Sequence, residues 1–244
     1  MSEPASSSAE ESTDPGALGS LWGALIAPER TFSALAARPR WVAALILLVT
    51  LALAFTLVLT PRMDMEKVFR EAIEEQGQEL SEAQLEQQLA IAEKFAWVGV
   101  AAQVFFQPAV YLVIAAIFLA LFRMLGSDID YRRSLAVTVH AFMPYAVATL
   151  LSIPVVLARD EISMDEVQSG SFLMSNLAAF APEESGKALL SLLGSIDLFS
   201  FWTLALLALG FRVVARVSRG QAWGVTLGLW ALYVAGKTAI AVAF

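Results

Sequence analysis

Few side chains in this sequence could do chemistry, and most lie within long apolar runs. There is no cysteine and one histidine, His140. Thiolate metal sites, disulfides and cysteine nucleophiles are therefore excluded, and a histidine-based dyad or metal cluster has a single histidine to use. The other candidates are Asp197 and Lys237, each set in apolar sequence, and Gln103 and Gln107, which share a run with Pro108. Two readings apply to Asp197 and Lys237. They form an ion pair that lowers the cost of burying each charge, or they serve transport. Gln103, Gln107 and His140 could line a polar path beside helices kinked at Pro108, Pro144 and Pro154, because proline frees a backbone carbonyl that polar groups must satisfy. The competing reading is an inert bundle in which His140 is hydrogen-bonded to a neighbouring helix. No acid pair, serine triad or metal-ligand spacing stands beside these residues, so no catalytic residue, metal or cofactor is assigned.

These residues are positioned by hydrophobic segments. The 244-residue chain is 58% hydrophobic and 16% charged, with mean hydropathy +0.66. Soluble domains average about 45–50% apolar and about 25% charged. A spanning helix needs about twenty apolar residues. The spacing predicts an all-α, polytopic bundle of five spans, at about 41–60, 97–122, 134–157, 193–215 and 222–244. The fourth is the least regular, because only fourteen uncharged residues separate Asp197 from Arg212. Arg212 can reach the interface by snorkelling, which leaves Asp197 about one turn inside the opposite boundary.

Charge location supports five spans. Segments 1–40, 123–133 and 212–219 carry nine Lys/Arg and seven acids, whereas 61–94 and 159–187 carry six Lys/Arg and fifteen acids. The positive-inside rule then puts the N-terminus in the cytoplasm and the C-terminus outside. Spans four and five become antiparallel neighbours. Lys237 lies roughly 22 Å along its helix from Ala222, at a depth like that of Asp197.

Residues 1–16 read as a disordered polar tail with no basic, cleavable leader. Leu18, Leu21, Trp22, Leu25 and Ile26 predict an amphipathic helix before Pro28, within an interfacial segment 17–40. Loop 61–94 reads as an extracytoplasmic helical hairpin, with Gly77 at its turn and Ser81 and Gln84 forming a capping box. The net charge of −7 argues against nucleic-acid binding.

"PERTFSALAARPRW" before the first span and "DLFSFWTLALLALGFR" in the fourth resemble bacterial members of the Yip (Ypt-interacting protein) domain family, over about Ala24 to Phe244. The matching positions are Pro28, Thr31, Phe32, Pro39 and Trp41, then Asp197, Leu198, Phe199, Trp202 and Gly210. The resemblance implies a five-span membrane protein with a cytoplasmic N-terminus and a link to membrane organisation or trafficking. The eukaryotic Asp-Leu-Tyr-Gly-Pro motif is absent as such, so a GTPase partner is not carried over. Expected partners are the bilayer, membrane or cytoplasmic proteins and a second copy of the chain. A non-enzymatic scaffold is the first functional expectation, and a small transporter the alternative.

Overall fold

A computed structural model describes residues 16–64, 66–70, 81–182 and 184–243. The regular structure is helical, apart from one isolated bridge between Asn176 and Asp197. Helices α1 (Gly16–Ile26) and α2 (Pro28–Ala37) are followed by α3 (Val42–Leu59), α4 (Glu82–Met124), α5 (Tyr131–Ala141) and α6 (Met143–Leu157). Then come α7 (Met164–Ser169), α8 (Lys187–Ser195), α9 (Leu198–Val214) and α10 (Arg219–Ala243). Among the described residues, four segments are long and apolar enough to cross a membrane: Val42–Arg62, Trp97–Met124, Tyr131–Leu157 and Arg219–Val242. The protein is an integral, multi-pass membrane protein.

The fourth expected span departs from expectation. A continuous helix over 193–215 is replaced by two helices, α8 and α9, broken at Ile196 and Asp197. Ile196 leaves helical geometry at φ −89°, ψ 80°, and the extended Asp197 pairs with Asn176. Helix α9 has 17 residues and packs between α5 and α10. At about 1.5 Å per residue it covers about 25 Å.

The hairpin expected over 61–94 also changes form. Ser81 does cap a helix with Gln84, both halves of the box being made. That helix does not end before the span: α4 runs 43 residues unbroken, through Pro108. Such a helix is about 64 Å long, twice the thickness of a hydrocarbon core. Its first turn is tied to residues 66–70, Arg70 bonding Glu82 at 3.0 Å and Glu66 at 2.9 Å. The expected turn at Gly77 lies outside the described residues.

The third segment breaks at one of its two expected prolines, Pro144, whereas Pro154 lies within α6. Helix α5 stops at Ala141 and α6 starts at Met143, with Pro144 in its first turn. Proline lacks the N–H that would continue the ladder there. The helix before Pro28 is present, but it is apolar on two sides. Leu21 and Ala24 are buried, whereas Leu18, Trp22 and Ile26 are exposed. One face packs on the bundle and the other is exposed.

An aromatic cluster lies at the end where Arg123, Arg133 and Arg212 are found. Phe118, Phe122 and Phe211 stack with centroids 4.5–6.1 Å apart. Around them lie Phe32, Val137 and Leu207. Backbone carbonyls at this end are held by side chains: Ser127 donates to Ala215 O at 2.7 Å, and Arg133 to Ala36 O at 2.8 Å. Arg212 bonds Glu29 at 2.6 Å.

Candidate functional site: an intramembrane cavity

Asp197 is the N-cap of α9. Its Oδ2 accepts from the Ser200 N–H at 2.8 Å, and its Oδ1 from the Ser175 hydroxyl at 2.5 Å. The first amides of a helix have no intrahelical partner and carry partial positive charge, so an aspartate there is stabilised by dipole and hydrogen bonds together. The strand-like bridge completes the corner, with Leu198 N donating to Ser175 O and Leu177 N to Ile196 O. Asn176 in turn donates to Ser169 O and Gly170 O. Gly194 lies under this turn, where an added β-carbon would stand 2.7 Å from Ser169 O.

Below this corner is a cavity of about 740 Å³. Asp197 and Lys237 both line it, so the structure brings together the two charges singled out in the sequence. The direct ion pair between them is not formed: among the described residues no bridge within 4.0 Å joins the two. Asp197 is oriented instead by α9, whose start it caps, and two local donors hold it there while carboxylate lone pairs remain.

The walls combine apolar surface with hydroxyls. Tyr145 Oη and Ser200 Oγ are 2.8 Å apart, and both residues line the cavity. Thr203 and Thr226 also line it, and their hydroxyls are buried without a hydrogen-bond partner. Gln107 reaches the cavity and donates to Tyr111 Oη at 3.4 Å. Gln103 and His140 do not line it. His140 is 1% exposed, with Nδ1 at 2.9 Å from Ala136 O and Nε2 at 3.1 Å from Ser20 Oγ. A carbonyl only accepts, so Nδ1 carries the proton, and the one proton of the Ser20 hydroxyl is shared between Nε2 and Ala17 O, 2.7 Å from it. The expected polar path of Gln103, Gln107 and His140 is thus not one surface. Among the described residues no three His, Asp or Glu side chains cluster to hold a metal.

The residues picked out by resemblance divide between core and cavity. Pro28 opens α2, and Thr31 donates to Ala27 O at 3.0 Å. Phe32 is fully buried and faces Gly210. Pro39 is half-buried in the link between α2 and α3. Trp41 and Trp202 pack on the aromatic cluster, Phe199 lines the cavity, and Leu198 is 65% exposed. A family model described as the Yip1 domain matches residues 22–240. The chain belongs to the Yip1 domain family. Neither the curated proteins nor the solved structures compared with it include a match. The matched region of this Yip1 domain chain contains the cavity, the aromatic cluster, α2 and the last turn of α1.

Ser175, Asn176, Tyr145, Ser200, Thr203 and Thr226 were missed by sequence reasoning. A hydroxyl inside an apolar run is a weak signal, because serine and threonine usually bond the carbonyl four residues back. Thr149 and Ser152 do this in α6. Thr203 and Thr226 do not, and only the structure distinguishes them.

Proposed function

We propose that this Yip1 domain protein is a non-enzymatic scaffold of the bacterial inner membrane that works by binding. In this reading α9 is the fourth of five spans, the N-terminus is cytoplasmic and the C-terminus lies outside. The alternation of basic and acidic connections supports that sidedness. The arginine end is then cytoplasmic, and the Asp197 corner faces outward. The chain catalyses no covalent reaction in this reading, because the Ser175 hydroxyl beside Asp197 belongs to the helix-start corner and no histidine lines the cavity to relay its proton. Partner proteins are held on the exposed apolar surfaces of α1 and α4, where Trp22 is 67% and Phe105 76% exposed.

The observation that carries binding over conduction is the seal beneath the cavity. Phe118 forms the cavity wall and stacks on Phe211 at 4.5 Å, and Phe122 closes the layer behind it. Conduction would need a path past three buried rings. The experiment is one-sided cysteine labelling at Ser200, in the cavity wall. An impermeant maleimide is expected to label Ser200→Cys from outside in sealed cells and to fail from the cytoplasmic side in inverted vesicles. Labelling from both sides would replace scaffold by transporter.

A further inference from the structure

We infer that the cavity holds one membrane phospholipid with an ethanolamine head group, its phosphate on Lys237 and its ammonium toward Asp197.

The shape points to a lipid. Helices α4 and α10 both line the cavity but do not pack extensively against each other. Val110 on α4 and Tyr233 on α10 line it while 48% and 63% exposed. The cavity therefore opens sideways between these helices, toward the hydrocarbon. What can enter from there is a lipid. The far end, at Phe118 and Leu207, is apolar and suits acyl chains.

The charges point to the head group. Lys237 is half-buried, lines the upper cavity and has no ion-pair partner among the described residues. Asp197 is 8% exposed, likewise without a cationic partner there, and its two hydrogen bonds leave carboxylate lone pairs for a third donor. A cation and an anion in one partly apolar cavity, not paired with each other, match a ligand carrying both signs. A primary ammonium can donate three hydrogen bonds to a carboxylate and neighbouring oxygens, whereas a glycerol head offers Asp197 no charge. The Ser200 and Thr203 hydroxyls lie one and two turns along α9 from Asp197, about 4.5 and 9 Å. Both lie deeper in the cavity than the head-group end, on the side where the ester groups of such a lipid follow its phosphate. The buried, unpartnered Thr203 hydroxyl is a donor placed to meet one.

The inference is independent of the sidedness proposed above. Its test is native mass spectrometry of delipidated full-length protein, titrated with dioleoyl phosphatidylethanolamine or dioleoyl phosphatidylglycerol. Expected is one phosphatidylethanolamine per chain, bound at least fivefold more tightly than phosphatidylglycerol. Lys237→Met, and Val110→Trp at the exposed mouth, should each weaken it at least fivefold. Asp197→Asn keeps the helix cap, since asparagine caps as well as aspartate. It should abolish the preference between the two lipids with helix content by circular dichroism unchanged. Equal binding of the two lipids by wild type overturns the proposal. So does wild-type affinity in Lys237→Met or Val110→Trp, or a preserved preference in Asp197→Asn.

Discussion

The ring of Phe32 lies against the bare α-carbon of Gly210. A β-carbon at that position would stand 2.9 Å from Phe32 Cε1 and 2.7 Å from Val137 Cγ1. Three elements, α2, α5 and α9, meet at this point, and each is held by what the others lack in volume.

Gly210→Ala should therefore destabilise the protein by about 1–3 kcal/mol, the usual cost of overpacking a filled core. Val137→Ala removes the nearest atom and should also destabilise alone, by leaving a void. Together the two should cost less than the sum, because each relieves the other's defect. Thermal unfolding of the four proteins in one detergent measures this. Additive losses would mean that the helices shift apart rather than clash.

Asp197 gives a second test. Asp197→Ala removes the acceptor from the Ser200 amide and should lower stability by about 1 kcal/mol, whereas Asp197→Asn should lie within a few tenths of wild type. The comparison separates the helix start from the charge. Equal losses in the two variants would show that the charge, not the cap, stabilises this corner.

The helical class, four of the crossing segments and the kink at Pro144 were legible because apolar length and proline are local properties. The break at Ile196 and Asp197 was legible only in part. The short uncharged run marked something irregular, but a charge inside a span and a charge at a helix start look alike in sequence. The partner that settles it, Ser175, lies in a loop with no regular periodicity. The same holds for the site. Asp197 and Lys237 could be placed at one depth from helix rise, yet whether two side chains touch depends on rotation about each helix axis, which a 3.6-residue period does not fix between helices. His140 was ambiguous for the opposite reason. Its partner Ser20 belongs to a helix whose apolar spacing predicts an amphipathic segment but does not say which span it meets.

His140 should prove structural. Ser20→Ala leaves Nε2 buried without a partner, at a cost of about 1–3 kcal/mol. His140→Ala should cost at least as much. Neither should alter labelling of Ser200→Cys, and at matched protein level neither should change a cellular phenotype. A His140→Ala protein that inserted normally and yet lost function would make proton-coupled transport the leading reading.

Sidedness is tested at two exposed positions. Glu161 lies in the link after α6, at the Asp197 end, and Asp128 in the link between α4 and α5, at the arginine end. In sealed cells an impermeant maleimide should label Glu161→Cys and spare Asp128→Cys, with the pattern reversed in inverted vesicles. Labelling of both positions in sealed cells, or of Asp128→Cys alone, would overturn the proposed orientation.

The segment around α7 should loosen in acid through Glu166. This residue closes a capping box with Ser163 and bonds Arg159 at 2.5 Å. Partial burial pushes its carboxyl up, but the hydrogen bond from Arg159, the Ser163 amide and the arginine's charge together outweigh this and leave it below the usual carboxylate value. A folded pKa below the unfolded one means that the ionised form is favoured by folding. The contribution is complete above the unfolded value, about 4.3, and is lost as pH falls through the folded one. Because the pair is partly exposed, its size is at most about 1 kcal/mol. Hydrogen exchange of the α7 amides, corrected for intrinsic rates, should be steady relative to the rest of the bundle from pH 7 to about 5 and rise below about 4. Glu166→Gln removes the titrating group, so its α7 amides should exchange faster at neutral pH and show no such rise. An identical acid response in wild type and Glu166→Gln would assign the effect to another group.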